Sequence, residues 1–165
     1  MVINKKKVFV LGLDSVPPEL LFDRWLDHLP NIQRLIAHGR YGEMKSTIPA
    51  ITCPAWMSMM TSANPGRLGI YGFRNRLRYD YEGLSFVNSK AVHVDTVWNI
   101  LSRLGKKVVV IGVPMTYPPQ PVNGCLVTCF MTPDTKEDYT YPPGLKAEVE
   151  AVSKGYILDV VEFRS

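Results

Sequence analysis

Apolar residues along this chain follow two spacings. "VFVLGL" (8–13) is a continuous apolar run stopped by Asp14, the pattern of a parallel strand buried on both faces and ending at a loop. "YGEMKSTI" (41–48), "KKVVVIGVP" (106–114), "GCLVTCF" (124–130) and "YILDVV" (156–161) read as further strands. Helical spacing marks "LPNIQRLIAHG", where Ile32, Leu35 and Ile36 share a side, Pro30 stands near the start and Gly39 follows the end. "PAWMSMMTS" reads as a short helix begun by Pro54. Asp95 is placed to cap "TVWNILSRLG", whose positions Val97, Ile100, Leu101 and Leu104 form one stripe. "PPGLKAEVEAVSKG" supplies a last helix.

Between these elements, "RLRYDYEGLSFVN" alternates and breaks at Glu82-Gly83, which predicts a β-hairpin insertion around 74–88. The proline-rich "PMTYPPQPVN" can extend neither sheet nor helix and reads as an ordered loop or flap. Strands alternating with helices predict one α/β domain over 1–165, a mostly parallel sheet with helices on both faces. Ligands of such sheets bind beyond the carboxyl ends of the strands, where Asp14 would stand.

Composition narrows the classes. With 46% apolar and 21% charged residues, the 165-residue chain has the balance of a globular protein with a core of its own. The apolar run after "KKK" is too short for a signal peptide or a membrane span, so the expected location is cytoplasmic. Three cysteines without a CxxC pair and three scattered histidines argue against a disulfide framework or a zinc knuckle. Of the +4 net charge, Arg67, Arg74, Arg76 and Arg78 fall close together, either to meet an anionic ligand or as a solvated hairpin face. Aromatic residues interleave with them, but no nucleic-acid recognition motif accompanies the cluster, so nucleic acid is not an expected partner.

The chemistry concentrates in "TIPAITCPAWMSMMTSANPGRLGIYGF" (47–73). Thr52, at the edge of the helix begun by Pro54, is either its N-cap or a hydroxyl set beside free amides that favour a phosphate or sulfate. As a nucleophile it would need a base or a metal, and Asp14 is the candidate metal ligand, its alternative being a turn residue before "SVPPELL".

Together with "VFVLGLDS" and "LPNIQRLIAHGRYGEMKS", this stretch resembles the N-terminal half of the alkaline phosphatase superfamily, in its type I phosphodiesterase/nucleotide pyrophosphatase branch. "FVNSKAVHVDTVWNIL", "GKKVVVIGVPMTYPPQPVNG" and "FMTPDTKEDYTYPPGLKAEV" are similar to the predicted phosphohydrolase/phosphomutase group within it. The resemblance implies an alkaline-phosphatase-like core and a hydrolase of small-molecule phosphodiesters or phosphomonoesters working through a phosphothreonine. It implies Thr52 as nucleophile and metal bridge, Asp14 as metal ligand, and the Cys53 backbone N–H as donor to a phosphoryl oxygen. Two divalent ions, zinc or else manganese, are implied in the full-length enzyme.

The chain departs from many relatives in carrying Ala55 where they have asparagine and Leu68 where they have histidine. The superfamily's remaining Asp and His ligands come from the second half of its fold, whereas no histidine follows His93, and Asp134, Asp138 and Asp159 form no Asp/His cluster. The expectation is therefore the N-terminal portion of a longer phosphohydrolase, inactive by itself and holding a divalent ion only weakly or not at all, with an uncompleted sheet edge open to homodimerisation. The alternatives are a phosphomutase of the same superfamily and a non-catalytic anion- or partner-binding α/β domain.

Overall fold

The computed structural model of the chain describes residues 6–76 and 82–159, and the chain divides into two units, Met1–Lys45 and Ser46–Ser165. In the first unit, a π turn (Glu19–Arg24) and a 3-10 turn (Leu26–His28) lead into helix α1, Pro30–His38. Proline opens α1 as expected, since its ring fits the helical φ and its missing N–H is not needed in the first turn. Ile32 and Ile36 are half-buried while Leu35 is exposed. The helix ends at Gly39, where the backbone turns extended, and a Cβ there would stand 2.8 Å from the Leu35 carbonyl oxygen.

The strands expected at 8–13 and 41–48 do not form. Neither segment belongs to a ladder, Val8 and Phe9 are each 88% exposed, and Met44 and Ile48 are also exposed. An extended segment becomes a strand only when a neighbour takes up its N–H and C=O groups, and no described strand pairs with either.

The second unit holds a three-stranded sheet in the order β3 (Val108–Ile111), β4 (Gly124–Val127), β5 (Thr140–Tyr141). β3 and β4 are parallel, in register from Val108 opposite Gly124 to Ile111 opposite Val127, and β5 runs antiparallel to β4. Only glycine fits at position 124, since a Cβ there would lie 1.9 Å from the Val108 carbonyl oxygen. The protein is thus a mixed α/β chain whose sheet is smaller and less parallel than expected. On β3, Val108 and Val110 are buried while Val109 and Ile111 are exposed, so this strand is covered on one face rather than two. The proline-rich segment between β3 and β4 is an ordered loop, with Met115 and Thr116 buried and the Pro118 carbonyl accepting from the Ser89 hydroxyl at 2.6 Å.

The hairpin forms where predicted. Strands β1 (Arg74–Arg76) and β2 (Leu84–Phe86) pair antiparallel, Arg74 opposite Phe86, and the predicted positions 77–81 lie outside the described residues. Helices α2 (Thr52–Thr61) and α3 (Pro65–Leu68) precede it, α4 (Val97–Arg103) leads into β3, and α5 (Leu145–Ser153) follows β5. The cap of α4 is Thr96, not Asp95. Its hydroxyl accepts from the Asn99 amide while Asn99 Oδ1 accepts from the Thr96 amide, a reciprocal capping box. Asp95, one residue too early, instead gives both oxygens to Arg103 at 2.8 and 2.7 Å.

The predicted stripe of α4 is not buried. Val97, Ile100, Leu101 and Leu104 are exposed, and Trp98 is the residue that carries α4 into the core. That core joins Cys53, Met57 and Met60 of α2 to Leu68, Ile70, Trp98, Val108, Val110, Met115 and Leu126. Fully burying a side chain such as Met57 or Ile70 contributes roughly 1.5–3 kcal/mol. α5 is fastened to the sheet through Glu150, whose carboxylate accepts from the Tyr139 hydroxyl and from the Tyr156 amide. The strand expected at 156–161 does not form over Tyr156–Asp159, and positions 160 and 161 lie outside the described residues.

Candidate active site

Ile51 is extended, with φ −123° and ψ 148°, and its carbonyl accepts the Ala55 amide at 3.0 Å. That bond makes Ile51 the N-cap and Thr52 the first residue of α2, two positions earlier than the start expected at Pro54. Thr52 is therefore not the helix cap, and the cap residue, having an apolar side chain, makes no side-chain capping bond. Pro54 falls within the first turn, where a missing N–H leaves no gap in the ladder. The amides preceding the ladder include those of Thr52 and Cys53, at the helix end where the macrodipole is positive.

The side chains of these two residues diverge. Thr52 is half-buried, whereas Cys53 is fully buried and its thiol donates to Met131 Sδ at 3.9 Å. The thiol belongs to the core, and the backbone of Cys53 is the part that stands at the helix end. Ala55 and Trp56, which follow Pro54 in α2, are half-buried. Leu68 is 6% exposed among the apolar core side chains, so this position serves packing. α3 is set by Asn64, whose Oδ1 accepts the Arg67 amide at 2.9 Å, and closes on Gly69 with φ +68°.

Asp14 lies in the first unit, exposed, in a turn with Ser15. Among the described residues no three His, Cys, Asp or Glu side chains converge as a metal site. Asp134 is engaged locally: its carboxylate accepts the Lys136 amide at 3.1 Å, which holds its carboxyl below the usual range.

Among the described residues of the second unit are two clefts that bear on the site. One, of ≈ 480 Å³, is walled by Phe73, Phe86, Tyr117, Phe130 and by Met131, the same residue that meets Cys53. Phe73 and Phe130 meet edge to face with centroids 6.3 Å apart, and the Arg74 guanidinium lies 4.8 Å from the centre of the Phe86 ring. Burial, first, and then the nearby Glu137 carboxylate raise the Tyr117 hydroxyl above its ordinary range. The sequence reads Phe130 as the end of a strand and Met131 as part of the motif "FMTP", and gives neither a place at a site. The second cleft, of ≈ 400 Å³, is lined by polar residues of the 89–99 stretch over Met57 of α2.

The family model described as type I phosphodiesterase/nucleotide pyrophosphatase matches residues 8–160. The chain belongs to that family. No curated protein and no solved structure matches it. The match to the type I phosphodiesterase/nucleotide pyrophosphatase family runs through both units and takes in Asp14, Thr52 and Cys53. Membership supports a phosphoester-hydrolase type of function. No helix among the described residues is long and apolar enough to cross a membrane.

Proposed function

We propose that Thr52 is the phosphoryl-accepting nucleophile of a hydrolase of small-molecule phosphodiesters or phosphomonoesters. The observation that carries this reading is the position of Thr52 as first residue of α2 in a chain of the phosphodiesterase family. A hydroxyl there meets an anion drawn by the amides at the positive end of the helix. Thr52 Oγ1 gives up its proton and forms the bond to phosphorus as the ester oxygen leaves as an alcohol; water then attacks the phosphothreonine, restores the Thr52 hydroxyl, and frees phosphate from a monoester substrate or a phosphomonoester from a diester. The backbone N–H of Cys53 donates to a non-bridging phosphoryl oxygen, while its thiol stays in the core.

Within this reading Asp14 and Thr52 are the ligands this chain brings to two divalent ions, zinc or else manganese. The remaining ligands belong to a longer, cytoplasmic protein of which these residues are the N-terminal portion, and the edge of β3 that no described strand pairs with offers a place for a second copy. A phosphomutase would differ only in passing the phosphoryl group to a second hydroxyl instead of water. In assays of the full-length protein with zinc or manganese, p-nitrophenyl phosphate esters are expected to be hydrolysed. Thr52→Ala is expected to lower turnover by at least about 10³-fold with an unchanged circular dichroism spectrum. Unchanged turnover in that variant overturns the assignment.

The lack of a three-ligand cluster among the described residues favours one other reading, a non-catalytic anion- or partner-binding domain with Asp14 as a turn residue. Size-exclusion chromatography with a metal titration separates the two. A domain that stands alone elutes as one species with or without zinc.

A further inference from the structure

The 3-10 turn Ser89–Ala91, the loop to Asp95, the start of α4 and the proline-rich segment enclose the ≈ 400 Å³ cleft. Its floor is apolar and buried, formed by Met57, Trp98, Met115 and Leu126. Most polar atoms around the rim are committed within the protein. The Ser89 hydroxyl donates to the Pro118 carbonyl and the Thr116 hydroxyl to the Val113 carbonyl. Both Asp95 oxygens are held by Arg103, which neutralises the one carboxylate that lines the cleft. Asn99 Oδ1 accepts from the Thr96 amide and hydroxyl, which fixes the orientation of its amide group and leaves Nδ2 turned away from the cap.

What remains is mostly donor character. Lys90 Nζ, Asn99 Nδ2 and the His93 ring make no hydrogen bond or ion pair among the described residues, and all three residues line the cleft. A concave site with an apolar floor, a neutralised carboxylate and uncommitted cationic and amide donors fits an anion that carries an apolar group. We propose that this cleft is a second binding site, separate from Thr52, for a small organic oxyanion. Lys90 and His93 meet its charge, Asn99 orients it, and the floor of Met57 and Trp98 takes its apolar part. None of these groups is assigned a part in phosphoryl transfer at Thr52.

Phenylphosphonate is a suitable probe, having an oxyanion, an aromatic ring and no hydrolysable ester. The 165-residue chain contains three histidines, and neither His28 nor His38 lines the cleft, so their imidazole proton resonances are internal references. On titration the His93 resonance is expected to shift saturably while the other two hold still. Inorganic phosphate, which leaves the floor unfilled, is expected to bind more weakly. Lys90→Ala and Asn99→Ala are each expected to weaken binding about tenfold with unchanged circular dichroism. The proposal is overturned if His93 does not move, if all three histidines move alike, or if Lys90→Ala leaves the affinity unchanged. It is also overturned if Thr52→Ala abolishes the His93 shift, because the probe then sits at the N-terminal end of α2.

Discussion

α2 and α4 are both short helices rich in apolar residues, and both reach the same core, yet they use their apolar residues in opposite ways. α2 buries Cys53, Met57 and Met60, whereas α4 buries Trp98 and leaves Val97, Ile100, Leu101 and Leu104 at the surface. β3 repeats the contrast within four residues, with Val108 and Val110 inside and Val109 and Ile111 outside. Periodicity records which residues share a side of an element. Whether that side is buried depends on a second surface to cover it, and the described residues supply one for α2 but only in part for α4 and β3.

The sharpest way to break this contrast is to truncate one residue on each helix. Met57→Ala is expected to cost about 2–5 kcal/mol in urea unfolding, because a fully buried side chain leaves a cavity. Leu104→Ala is expected to stay within about 0.5 kcal/mol. Equal costs would mean that the exposed stripe of α4 is covered in solution. Next in size is Gly124→Ala, where the new methyl group meets the Val108 carbonyl; a loss of more than about 1 kcal/mol is expected in thermal unfolding.

A smaller effect separates the two residues that could have capped α4. Thr96→Ala is expected to cost about 1 kcal/mol through loss of the capping box, and Asp95→Ala less, since its pair with Arg103 is exposed. The reverse order would restore Asp95 as the cap.

The mildest prediction concerns the attachment of α5. The Tyr139 hydroxyl, first, and then the Tyr156 amide hold the Glu150 carboxyl below its usual range. Its contribution to stability is therefore complete above the unfolded pKa of about 4.3 and is lost as the pH falls through the lower folded value. Melting temperatures measured from pH 7 down to 3 should decline less steeply in Glu150→Gln than in the parent. Parallel curves would show that this carboxylate does not couple α5 to pH.

Much of the fold was legible where an element carries its own chemistry. Pro30 marked α1, the Glu82-Gly83 break marked the hairpin, and the valine run marked β3. The strands read at 8–13 and 41–48 failed because half of every strand's hydrogen bonding belongs to a neighbour. At the candidate site, residue type and motif pointed to Thr52, but proline chemistry misplaced the start of its helix. Backbone geometry makes Ile51 the N-cap, so of the two readings of Thr52 the cap falls away and its hydroxyl stands in the first turn. A place for Phe130 and Met131 in the aromatic cleft was not legible, because their approach to Phe73 and Cys53 joins residues far apart in the chain.

The sequence by itself determined the family of this protein, the turns and helices whose hydrogen bonds close within a few residues, and the residue types gathered around Thr52. Tertiary structure alone decided that Leu68 is buried, that Asp95 pairs with Arg103, and which apolar stripes are covered. The physical reason is range. Local hydrogen bonds are written in neighbouring residues, whereas burial and strand pairing depend on a surface that some distant part of the chain must bring.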